Sequence, residues 1–217
     1  MPTDLRAVLR AAPADLKTYF ATYTGRHFEQ LGGGGDRRET RDTITATDLV
    51  AVTMLSVSVP AAVAADLLEG QLGRDLSRHL TEIPADVSLG TPEAAGHVRP
   101  GSPADKAWQL LKTQDGVGWV TAGKLLARKR PKLIPVWDRV VRCQLALPGD
   151  VWRTLDTTLA DPAVRTDLAA LRDNAGLPPE VTLLRILDVA LWMRHHKQHR
   201  DAACPGYATV SSSTTSP

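Results

Sequence analysis

The sequence predicts an all-α fold, and three observations carry that expectation. No segment alternates apolar and polar residues for long enough to demand a sheet. Apolar positions recur at helical spacing between prolines, glycines and capping residues along most of the chain. Residues 103–130 hold two amphipathic segments joined by a Gly-Val-Gly turn, which reads as a central helix–hairpin–helix. With 217 residues, 43% of them hydrophobic and 23% charged, the chain can bury a substantial core and falls outside the range of disordered sequences. The expected organisation is one helical domain over residues 1–200, divisible at most into two lobes, with 103–145 carrying the hairpin and the loop after it. Residues 201–217 are small and polar and read as a disordered tail.

The elements follow in order. Leu5, Val8, Leu9 and Leu16, then Tyr19, Phe20 and Tyr23, fit one or two short helices. Gly32–Gly35 is costly to hold in a helix and lacks the spacing of a phosphate-cradling loop, so it reads as a flexible connector that continues to Asp42. Thr45 and Asp48 form a capping box that starts a helix near Ala46. Pro60 opens an Ala-rich helix to Leu68, and Leu72, Leu76, Leu80 and Ile83 mark a third. Residues 84–101 have no period and read as a long loop. Ser102 and Pro103 start the first hairpin helix; the second runs from Trp119 to Arg128 and stops before Pro131. Pro135 leads into a helix with Val136, Val140, Val141 and Leu145. Asp150 and Asp161–Pro162 open two more, the latter ending at Gly176. The longest helix follows Pro179, with Val181, Leu184, Leu187 and Leu191 on one side and a basic end from Arg194 to Arg200.

Several function classes drop out at this stage. No run of eighteen apolar residues offers a membrane span, and residues 1–10 carry Asp4 without the layout of a signal peptide, so a cytoplasmic protein with no membrane partner is expected. Cys143 and Cys204, far apart in the chain, give neither a disulfide framework nor a metal-ligand spacing. His195, His196 and His199 have no acid in the same turn and read as a solvated helix end, so no metal and no cofactor is expected. Asp36, Glu39 and Asp42 crowd one polar loop, which is common without any bound cation.

The charge is unevenly placed. Lys124, Arg128, Lys129, Arg130, Lys132, Arg139 and Arg142 stand against Asp138 alone, so residues 124–142 carry +6 where the whole chain carries +2. Either this is a solvated helix end or it faces an anion. The hairpin favours the second reading. Gly116 and Gly118 permit the turn, Val117 can plug the gap between the helices, and amides at the start of a helix suit a phosphate oxygen. Gly116, Val117, Gly118, Lys124, Arg128, Lys129, Arg130, Lys132 and Arg139 are the candidate contacts to duplex DNA. Neutralising three to five phosphates implies a log–log salt slope of about −3 to −5.

The segment from Gln114 to Leu126, with Gly-Val-Gly followed by Thr121 and Ala122, resembles the helix–hairpin–helix of the DNA glycosylase superfamily. Ile134-Pro135-Val136-Trp137-Asp138 resembles its Pro-containing loop with an Asp at the start of the next helix, twenty residues after Gly118. The resemblance covers residues 103–145. It implies a DNA-glycosylase-like fold in which Asp138 faces a flipped nucleotide. Lyase members place a lysine where Val120 stands, and the four-cysteine cluster pattern is absent, so any reaction would be monofunctional and free of an imine. The run from Gly123 to Val141 is similar to an uncharacterised actinobacterial family, domain of unknown function 6308, which implies no activity.

Alternatives stay open. Asp138 either orients a water beside a departing base or simply caps its helix. Trp119 and Trp137 either stack on bases or, like Trp108, Trp152 and Trp192, pack among aliphatics. Three functions fit: DNA binding through the phosphate backbone without catalysis, a monofunctional glycosylase-like hydrolase using Asp138, and a helical interaction module. Neither enzymatic status nor oligomeric state is fixed by the sequence.

Overall fold

A computed structural model describes residues 8–9, 12–145 and 151–199. Among them are eleven α-helices and no strand. They are α1 Pro13–Thr22, α2 Ala46–Thr53, α3 Ala61–Glu69, α4 Gln71–Thr81, α5 Ala95–Val98, α6 Pro103–Lys112, α7 Trp119–Lys129, α8 Arg139–Leu145, α9 Val151–Leu159, α10 Pro162–Asn174 and α11 Leu183–His195. The all-α expectation holds, and most helix starts fall where the caps put them. Thr45 and Asp48 form the reciprocal capping box of α2, and Ser102 and Asp161 accept the first-turn amides of α6 and α10. Asp150 and residues 201–217 lie outside the described residues, as does Cys204.

Two helices form the interior. Helix α7 is buried from Thr121 to Lys129, and α11 from Leu184 to Leu191. Helices α2 and α6 pack on α7; α1, α8 and α10 pack on α11; α3 and α4 form a pair that reaches α6. Both helices bury polar as well as apolar side chains, which is why Lys124, Arg128, Lys129, Arg185 and Asp188 all need internal partners. Residues 84–101 are better packed than a period-free loop suggests. The segment contains α5, buries Leu89, Ala94 and Val98, and is tied down by Leu89 N donating to Lys132 O and Gly90 N to the Asp156 carboxylate.

The glycine run is not a flexible connector. Gly32, Gly33 and Gly34 all have positive φ, a conformation side chains resist. A Cβ on Gly35 would lie 2.4 Å from the Arg128 carbonyl oxygen. The segment is a fixed wrap around the end of α7.

The basic run explains the wrap. Residues 28–42 form almost no regular ladder, and their carbonyls need donors. Arg128 donates to the carbonyls of Phe28, Glu29 and Leu31, and its Nε to Asp48 Oδ1 at 3.0 Å. Lys129 Nζ donates to Gly35 O and Thr40 O, each at 3.1 Å, and pairs with Asp48. Arg130 takes Arg41 O, Leu80 O, Ile83 O and the Asp42 carboxylate. All three side chains are at most 1% exposed. Desolvation lowers the Lys129 pKa against the pull of Asp48.

Candidate functional site

The helices α6 and α7 pack against each other across a turn at residues 113–118. Gly116 sits at φ +76°, a position a side chain resists, and a Cβ there would meet Pro60 Cγ at 2.7 Å. Val117 is buried between the helices, as its place between the two glycines suggests, while Gly116 and Gly118 are exposed. Gly118 is the N-cap of α7, with no side chain bonding the first amides. Trp108 Nε1 donates to Trp119 O at 3.2 Å and locks the second helix onto the first.

Beside this turn lies a cavity of about 560 Å³. One wall is the start of α7, Gly118 to Thr121 with Lys124; another is the lead into α8, with Asp138 and Arg139; the third is α11, with Arg185, Asp188 and Trp192. Tyr19, Tyr23 and residues 54–57 close the remaining side. Ser56, in that last segment, has φ +59°, unusual for a residue with a side chain.

Asp138 has two duties here. Its Oδ1 accepts from Val141 N at 3.0 Å and caps α8, while Oδ2 lies 3.6 Å from Lys124 Nζ. The cap and the cavity-facing role are therefore compatible. Lys124 is 4% exposed and also donates to Leu55 O at 2.9 Å. Burial lowers its pKa, opposed chiefly by Asp138. Deeper in, Arg185 bonds Asp188, the Tyr19 hydroxyl and Gly25 O. Burial pushes the Asp188 carboxyl up to about 7 even with that guanidinium beside it. The upper wall is aromatic: Tyr19 and Tyr23 stack at 5.2 Å, and Trp192 meets Tyr23 edge-on at 5.5 Å.

The expected nucleic-acid set divides. Gly116, Gly118, Lys132 and Arg139 are exposed, and Val117 supports the turn from inside. Lys124, Arg128, Lys129 and Arg130 are not a solvent-facing belt: they are buried and bonded to internal carbonyls and carboxylates. The sequence shows charge but not direction, and here the charge points into the protein. Of the tryptophans, Trp137 is buried in the core, while Trp119 and Trp192 pack on the core and also border the cavity.

Tyr19, Arg185 and Asp188 were missed by the sequence reading. Their signal was present: Arg185 and Asp188 stand one turn apart inside the apolar run Leu183–Leu191, where charges survive only when paired. The histidine end differs from expectation in one respect. Ligand atoms of Cys143, His195 and His199 lie within 4.8 Å of one another. Cys143 is disulfide-bonded, so its sulfur is not available as a thiolate ligand.

The fold and cavity together define an all-helical protein with a largely apolar, aromatic-walled cavity that also holds charged side chains, beside a tight turn between two helices. No helix among the described residues is long and apolar enough to cross a membrane. Residues 12–195 match the model of a family of unknown function, DUF6308, and the chain belongs to that family. No curated protein and no solved structure matches it.

Proposed function

We propose that the protein is a DNA-directed hydrolase of the N-glycosidic type, receiving an extruded nucleotide in the cavity beside the hairpin. The observation that carries this reading is the position of Asp138: one carboxylate oxygen faces Lys124 in a cavity shared with the uncapped start of α7. A volume near 560 Å³ falls within the range of about 300–1,000 Å³ usual for small-molecule sites. Trp119, Tyr23 and Trp192 supply flat apolar surface for a ring. The Asp138 carboxylate stabilises positive charge on the sugar as the base leaves, and Lys124 with the α8 cap holds it in position. The exposed turn glycines Gly116 and Gly118 and the Arg139 side chain hold the backbone outside the cavity mouth.

The test is incubation of the purified protein with duplexes bearing a panel of damaged or mismatched bases. Wild type is expected to leave an abasic site with the strand intact. Asp138→Asn is expected to lose about 10²-fold or more in single-turnover rate while binding the duplex nearly as well. Excision that survives Asp138→Asn contradicts the reading.

A second reading, backbone binding without catalysis, is favoured by the exposed turn and by Lys132 and Arg139 alone. With only those two cations of the original set facing solvent, the log–log salt slope becomes about −2 instead of −3 to −5. Anisotropy titrations on an undamaged duplex at several salt concentrations measure it. A slope near −5 contradicts the buried placement of the basic run.

A further inference from the structure

The cavity holds a second carboxyl group whose surroundings oppose those of the first. Asp138 is partly exposed and paired with Lys124 and an α8 amide. Asp188 lies on the buried helix α11, 5% exposed, and still lines the cavity. Its Oδ2 bonds Arg185 Nη1 one turn away on the same helix. A carboxyl held away from water is costly to ionise, and burial favours its protonated form unless the cations beside it outweigh that cost. Two carboxyl groups line one cavity, Asp138 beside Lys124 and a helix amide and Asp188 on the buried helix beside Arg185, and such unlike surroundings suit acid–base work.

We infer that Asp188 is the proton donor to the departing base, complementing Asp138 in the reaction proposed above. The C1′–N bond breaks and its electron pair stays with the base, which takes the Asp188 proton at a ring nitrogen or exocyclic oxygen. Water adds its oxygen to C1′ and passes a proton to the Asp138 carboxylate. That proton returns through solvent to Asp188, and the net change is hydrolysis with no other reactant.

The charged groups facing Asp188 come from every wall. Arg185 of α11 and Lys124 of α7 favour its ionised form, while Asp138 and Glu29 oppose it. Its negative charge also disfavours ionising Tyr19 of α1. Burial outweighs the two cations, so a proton remains on Asp188 up to about pH 7. A donor of this kind is protonated, and active, below that value and is lost as pH rises through it.

The inference rests on the hydrolase reading, and one experiment separates their failures. Single-turnover excision is followed from pH 5.5 to 8.5 on two duplexes, one carrying a neutral lesion base and one carrying 7-methylguanine. The methylated base already bears a positive charge and leaves without needing a proton. For the neutral base, wild type is expected to fall about tenfold per pH unit above pH 7; for 7-methylguanine it is expected to be flat. Asp188→Asn should lose about 10²-fold or more on the neutral base at pH 6, abolish the alkaline limb, and leave 7-methylguanine within about threefold. The wild-type profiles need no variant, so a poorly folding Asp188→Asn does not protect the proposal. Parallel profiles on the two bases, or an equal loss on both from a folded Asp188→Asn, overturn the role of Asp188 and leave Asp138 standing. Excision of neither base by wild type overturns both.

Discussion

At the residue scale, the chain uses charge as internal scaffolding. Asp48 caps α2 through Thr45 and also meets Arg128 and Lys129, all within a region closed to solvent. Removing it leaves two buried cations short of their counterion. Asp48→Ala is therefore expected to cost about 3–5 kcal/mol, whereas Lys129→Met, which removes a charge but keeps an apolar stem, should cost less. Urea unfolding of both variants at neutral pH checks this, and equal losses would mean that Asp48 acts only as a cap. Neither substitution should alter the salt dependence of DNA binding, because neither side chain reaches the surface.

At the element scale, the two hairpin glycines differ in kind. Gly116→Ala forces a Cβ into a left-handed backbone and against Pro60, and should destabilise by about 1–2 kcal/mol. Gly118 has φ −79° and open space where a Cβ would go, so Gly118→Ala should be nearly neutral for folding. Thermal melts of the pair test the difference; equal shifts would contradict the geometry of the turn. The sequence made such elements legible where the signal was local. The Thr45–Asp48 box, the Ser102–Pro103 start and the Gly-Val-Gly turn are each defined within a few residues, and each appears as read. What failed was direction. A helix interior such as Arg128–Arg130 reads as a basic surface until the carbonyls of residues 28–42 are known to wrap it, and those carbonyls lie about ninety residues away in sequence. The role of Asp188 was hidden for a similar reason: its pairing with Arg185 is local, but Tyr19, which accepts from Arg185, and the cavity that Asp188 lines come together only when α1, α7 and α11 are packed.

At the scale of the whole molecule, the buried basic run and the cavity belong to one design. Helix α7 fixes the N-terminal wrap with its last turn and borders the cavity with its first, while Lys124 between them ties residues 54–57 to Asp138. The central claim is that an extruded nucleotide enters this cavity. The direct measurement is the amide spectrum of the labelled protein, titrated with a duplex whose single mismatched nucleotide is free to flip, against the fully paired duplex. The account predicts that both duplexes perturb the amides of Gly116 and Gly118. Only the mismatched one should also shift Trp119–Thr121, the Trp192 indole and Val140–Val141. Perturbation of the turn alone by both duplexes, with the cavity residues unmoved, would contradict it.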